Sequence, residues 1–346
     1  MTNEDADRRP AGGGTALADA PLLDVRDLRV EFRTRDGVAK AVNGVSYHVA
    51  PGQTLAVLGE SGSGKSVTAQ AVMGILDSPP GFVTGGEIVF QGRDLLTLGR
   101  EERRRIRGAK MAMIFQDALS ALNPVLTVGA QLGEMFEVHE GMSRKEARGR
   151  AVELMERVGI PAARERVGDY PHQFSGGMRQ RIMIAMALAL GPDLIIADEP
   201  TTALDVTVQA QVMDLLAELQ RELTMGLILI THDLGVVADV ADTIAVMYAG
   251  RIVETAPVHQ LYRAPAHPYT RGLLESIPRL DQKGQRLFAI KGLPPNLTAI
   301  PPGCPFHPRC PLARDVCRTE LPPLHEAGPG RTSACHFWKE TLDGAR

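Results

Sequence analysis

The stretch LGESGSGKS, residues 58–66, carries the clearest chemistry in the chain. It satisfies G-x-x-x-x-G-K-[ST], with Gly59, Gly64, Lys65 and Ser66 in the fixed places. Glycines let a backbone wrap closely around phosphate oxygens, and the N–H groups then point inward as an anion-binding nest. A helix opening at the same point adds partial positive charge. Lys65 is expected to reach the β- and γ-phosphates and the Ser66 hydroxyl to ligate Mg²⁺. Ser61, Gly62, Ser63 and Val67 complete the set expected against a bound nucleotide. A Gly/Ser-rich turn that merely fits the pattern is the bland alternative. It is disfavoured because QTLAVL before the loop is β-prone and VTAQAVMGIL after it is helical in period.

Other residues supply the rest of a phosphoryl-transfer site. Asp198 ends the apolar run LIIAD, where a carboxylate holds Mg²⁺ through its waters, and Glu199 follows as a general base for water. A strand-end Asp-Glu pair alone is as often a solvated turn. Gln116, after MIF, is placed to sense metal or γ-phosphate, though alone it is just a surface amide. His232 in ITHD is placed to contact the γ-phosphate and orient the water, though a lone strand-end His is more often structural. In FSGGMRQR, Ser175, Gly176 and Gly177 open a helix as a second anion site. No phosphate within the same chain requires that second site.

The elements that must position these groups alternate. LLDVRDLRVEF and AVNGVSYHVA read as strands joined by RTRDG, and VTGGEIVFQGRDL as a further strand. GREERRRIRG is a charged helix whose Arg103, Arg104 and Arg105 are better read as a solvated face than as a phosphate site. Residues 128–158 have a helical pattern and read as a helical insert. DLIIADEP and GLILITHD are near-continuous apolar runs, as buried parallel strands are. TIAVMYAGRIVE is a hairpin-like pair. The alternation means an α/β core with a mainly parallel sheet.

Composition is that of an ordinary globular protein, 44% hydrophobic and 23% charged. A net charge of -3 and 4% aromatic residues argue against nucleic acid as a partner. The opening residues 1–21 are polar and Gly-rich, lack the apolar core of a signal peptide and read as a disordered tail. The longest apolar candidate for a membrane span is broken by Gly191, Pro192 and Asp193.

With all these pieces in order, residues 22–262 resemble the ATP-binding-cassette (ABC) ATPases. Gly59–Ser66 stands as Walker A, Gln116 as the Q-loop residue, FSGGM for the LSGGQ signature, Asp198 as Walker B, and TALD with Asp205 as the D-loop. The resemblance implies ATP and Mg²⁺ as cofactors, with Phe32 stacking on adenine. It implies a P-loop core with an antiparallel β subdomain and a helical subdomain. It also implies a sandwich of two cassettes, each ATP held between the P-loop of one and the SGG motif of the other. The segment HPYTRGLLESIPRL after the core resembles oligopeptide and dipeptide importer ATPases, and nickel and glutathione importers share it. GESGSGKSV and THDLGVVA resemble the D-type subunit of these systems more than the F-type. The implied partners are a second cassette, two membrane-spanning permease subunits and an extracytoplasmic peptide-binding protein. The implied location is the cytoplasmic face of the membrane. A soluble ABC ATPase outside transport is the rival reading.

Residues 263–346 form a Pro-rich extension carrying all four cysteines, spaced C-x5-C-x6-C-x17-C. In a reducing compartment these are not expected to be disulfides. The same resemblance implies that Cys304, Cys310, Cys317 and Cys335 bind a [4Fe–4S] cluster. Zinc at the same thiolates and unligated buried cysteines are the alternatives.

Overall fold

The computed structural model describes residues 20–202, 204–276 and 290–344. The tail expected over residues 1–21 therefore lies, up to residue 19, outside the described residues. In chain order the strands are β1 (Leu23–Thr34), β2 (Gly37–Val49), β3 (Thr54–Leu58), β4 (Gly81–Phe90), β5 (Arg93–Asp94) and β6 (Met111–Ile114). They continue as β7 (Leu194–Asp198), β8 (Gly226–Thr231), β9 (Thr243–Tyr248), β10 (Arg251–Pro257), β11 (His325–Gly328) and β12 (Arg331–Ser333).

Two sheets result. β2-β1-β4-β5 is antiparallel, and β11-β12-β10-β9-β3-β8-β7-β6 is parallel from β9 through β6. Every residue of β3, β6, β7 and β8 is buried, which is why these strands read as unbroken apolar runs. The strand period of two then divides the interior. Leu58, Ala197 and Leu229 face one core, while Val57, Ile196 and Ile228 face the other.

The second core is closed by the antiparallel sheet and by the helix Lys65–Met73. The first is closed by the helices Gly176–Leu188 and Val206–Leu223 and by a helical pair, Val128–His139 and Arg144–Arg157. The expected helical stretch 128–158 is thus two helices. Ser143 starts the second with a capping box to Glu146. The charged helix Arg100–Ile106 buries no residue, as its solvated reading requires. β9 and β10 form the expected hairpin, turning at Ala249 and Gly250, both with positive φ.

The C-terminal extension joins the main sheet. β12 pairs antiparallel with β10, and β11 lies outside it. Arg331 reaches across to Glu254 at 2.9 Å, both side chains almost wholly buried. Glu254 also accepts the backbone N–H groups of Ala266 and His267 at 2.8 and 2.9 Å. Tyr269 and Phe306 carry the first core into the extension.

The four cysteines do not form the expected [4Fe–4S] site, nor its zinc rival. Cys304, Cys310, Cys317 and Cys335 border one narrow cavity with Phe306, Phe337 and Pro268. Among the described residues, however, no group of three or more His, Cys, Asp or Glu is arranged to hold a metal ion. All four are free thiols. The physical reason is the surroundings, which are largely apolar. Burial pushes the Cys304 thiol up to about 12 and Cys310 to about 11. The Cys335 sulfur accepts the Phe337 N–H at 3.4 Å. Cys317 is buried, and Cys304 and Cys310 pack against the first core as small apolar side chains.

Candidate nucleotide-binding site

β3 delivers the chain into residues 59–64 at the edge of the second core, and the helix Lys65–Met73 leaves from there. Two glycines are dictated by neighbours. A Cβ on Gly59 would stand 2.3 Å from the Met247 carbonyl oxygen, and one on Gly64 2.3 Å from that of Ala41. Gly64 is also left-handed, φ 104°, where it starts the helix. β9 and β2 therefore press the loop into its curled shape.

Inside that curl the Lys65 ammonium donates to the carbonyls of Gly59 at 2.8 Å and Glu60 at 3.0 Å. Burial lowers its pKa, opposed by the nearby Glu199, Asp198 and Glu60. The Ser63 hydroxyl is buried with no hydrogen-bond partner. An unpaired buried hydroxyl beside a lysine and a helix start suits a phosphate oxygen. Ser66 Oγ donates to Asp198 Oδ1 at 3.0 Å. Burial raises the Asp198 carboxyl, and the Ser66 hydrogen bond partly offsets this. These adjacent hard oxygens are the donor type Mg²⁺ takes.

Glu199 turns away from Asp198 on a left-handed backbone, φ 47°. Its carboxylate accepts Gln116 Nε2 at 3.1 Å and the Thr202 hydroxyl at 3.0 Å. His232 Nδ1 lies 3.4 Å away. Glu60, Ser61, Gly62, Ser63, Gly64, Lys65, Ser66, Val67, Gln116, Glu199 and His232 thus line one open cleft of about 650 Å³. Thr202, Glu60 and Pro294 also belong to this neighbourhood and were missed from the sequence. Thr202 sits three residues past Glu199, a spacing that signals little before the turn is seen.

The remaining expected residues do not line this cleft. Phe32 lies on β1 opposite Ala39 and Gly81. Ser175 caps the helix Gly176–Leu188, its side chain accepting the Met178 N–H at 3.3 Å. A Cβ on Gly177 would meet Val208 at 2.5 Å, so the helix Val206–Leu223 requires glycine there. Asp205 caps that neighbouring helix through Val208 at 3.0 Å. The Arg166 guanidinium lies 4.1 Å over the Phe174 ring and donates to the Met178 sulfur at 3.4 Å. The two departures from LSGGQ are therefore packed on one arginine.

The ABC transporter family model matches residues 42–202, and the oligopeptide/dipeptide transporter C-terminal region matches 253–317. The oligopeptide transport ATP-binding protein OppD of Salmonella typhimurium is 52% identical over 314 residues, covering 91% of this chain and 93% of that protein. The dipeptide transport ATP-binding protein DppD of Bacillus subtilis is 54% identical over 301 residues, 87% and 90% of the two chains. This chain belongs to that ABC family. Among solved structures, a dimeric post-hydrolysis ATP-binding cassette with ADP and Pi superposes with a TM-score of 0.62 at 26% identity. The superposition covers 68% of this chain and 98% of that one. As an ABC ATPase the chain binds and hydrolyses ATP, and Ser63, Lys65, Ser66 and Asp198 suit ATP with Mg²⁺. No described helix is long and apolar enough to cross a membrane.

Proposed function

We propose that this chain is the ATP-hydrolysing subunit that powers import of di- or oligopeptides through a membrane permease. The observation that carries the reading is the convergence of Lys65, Ser66, Gln116, Glu199 and His232 on one cleft from which the SGG motif is absent. Residues 22–262 act as the cassette and 263–346 as its importer-type extension. ATP binds to the loop 59–66, with Lys65 and the Ser63 and Ser66 hydroxyls on its phosphates and metal. Phe32 lies under adenine. Mg²⁺, when bound by Ser66 and Asp198 near Gln116, neutralises phosphate charge. Glu199 accepts the proton of the attacking water, and His232 and Gln116 hold its carboxylate in place.

Ser175, Gly176, Gly177 and Asp205 serve the ATP of a second cassette, which explains an open helix start with no phosphate of its own. The partner is a homologous cassette, paired as a heterodimer of D- and F-type subunits and joined by two permease subunits and a peptide-binding protein. Phe115, Leu119, Val125 and Leu126, exposed just after β6, suit the permease contact. The chain then sits at the cytoplasmic face of the membrane.

The test is reconstitution of the chain with its permeases and second cassette in lipid vesicles. Peptide, presented by the binding protein, should stimulate ATP hydrolysis and accumulate. Stimulation by nickel or glutathione in place of any peptide would reassign the substrate class.

A further inference from the structure

Glu60 is a variable position of the phosphate loop, yet each of its polar groups is tied down. Its carboxylate takes a two-pronged grip from Arg309, Nη1 to Oε2 at 2.6 Å and Nη2 to Oε1 at 2.9 Å. Its N–H donates to Tyr269 Oη at 2.9 Å, and its carbonyl accepts Lys65 Nζ at 3.0 Å. The Arg309 side chain is only 4% exposed. It also donates to Tyr248 Oη at 3.3 Å and to the Lys291 carbonyl at 3.1 Å. From that anchor the chain passes Pro294, which lines the nucleotide cleft, to Leu297, whose carbonyl accepts the Lys40 N–H of β2 at 3.1 Å.

We propose that the C-terminal extension is a working part of the nucleotide site, with Arg309 a positioning residue that sets the phosphate loop through Glu60. The geometry favours this over a simple staple. A two-pronged arginine–carboxylate pair fixes direction as well as distance. The peptide it fixes is the one whose carbonyl receives the lysine that must meet the phosphates. An anchor serving stability alone would gain nothing from gripping the loop itself. The inference rests on residues 59–66 being the ATP site.

The test uses the full chain and measures Mg-ATP affinity by calorimetry, with thermal melting alongside. Arg309→Ala and Glu60→Gln should each weaken ATP binding on the order of tenfold. The double variant should be no weaker than either single one, because both remove the same contact. Arg309→Lys, which keeps the charge and loses the fork, should fall between. Wild-type affinity in folded Arg309→Ala would overturn the proposal, and so would losses that multiply in the double variant. If Arg309→Ala does not fold, Glu60→Gln alone and in combination with Arg309→Lys decides the same point. If Lys65→Ala binds ATP as well as wild type does, the phosphate site itself is misplaced and the proposal falls with it.

Discussion

Glu199 occupies a left-handed backbone that a side-chain-bearing residue adopts at a cost of about 1–3 kcal/mol. Its N–H is bonded to the Ile230 carbonyl at 2.8 Å, so β8 maintains the twist. The consequence is a carboxylate that faces Gln116, Thr202 and His232 while Asp198 faces Ser66. Two adjacent acids thereby take separate tasks. Glu199→Gln should lower phosphate release by about 10²–10⁴-fold, measured beside the second cassette, with ATP affinity little changed. Lys65→Ala should instead weaken binding. Near-normal turnover in Glu199→Gln would remove the general-base role. These residues were legible in the sequence because each closes or opens a buried element at a fixed residue type. Glu60 was not, since its partner Arg309 lies 249 positions away and only folding joins them. The cysteines misled for a related reason. The resemblance alone implied thiolate ligands, but among the described residues no group of three or more metal-ligating side chains is arranged to hold an ion, which a motif match cannot foresee.

At the scale of elements, caps place the functional residues as much as strands do. Ser175 and Asp205 were read as partners of a distant nucleotide, and each also satisfies the first turn of its own helix. His267 shows the same economy at the helix Pro268–Glu275. Its Nδ1 accepts the Tyr269 N–H at 3.1 Å, which requires a neutral ring. Burial depresses its pKa from 6.5 to about 3. Below pH 6.5 the unfolded chain therefore binds a proton that the folded chain refuses. Its contribution to stability is complete above that pH and is lost as the pH falls toward about 3, at roughly 1.4 kcal/mol per unit. Glu254, raised by burial and bonded to the His267 N–H, titrates in the opposite sense. The measurement is thus the difference in unfolding free energy between wild type and His267→Asn across pH 4–7. A difference that stays flat would show that His267 is not neutral and buried in the native state. The sequence showed His-Pro-Tyr-Thr but gave no sign of which atom caps the helix.

At the scale of the molecule, the cleft holding Glu199 and Lys65 does not include the SGG motif. Turnover should therefore need a second cassette. Without its partners, the purified chain should show phosphate release per chain that rises with chain concentration. Addition of the second cassette and permeases should raise it further. Full activity from a verified monomer, independent of concentration, would contradict the composite site. The mainly parallel core was readable from alternating apolar runs, since buried parallel strands announce themselves, whereas the antiparallel sheet was implied only by the resemblance and the strand order was not legible. The attachment of the extension was not legible either, because β11 and β12 are short and largely polar, and β12 pairs with a strand far back in the chain, Ser333 opposite Glu254.

That attachment limits how such a protein can be shortened or recombined. β12 covers the hydrogen-bonding edge of β10, and Arg331 is the cation beside the fully buried Glu254. A chain ending near residue 262 would bare a strand edge, which invites pairing with another molecule. It would also leave a carboxylate without its counter-charge in the interior, a loss of about 3–5 kcal/mol when one partner of such a pair is removed. The extension is consequently not an ornament that could be traded between cassettes. Its last strand and the cassette's tenth must be inherited together.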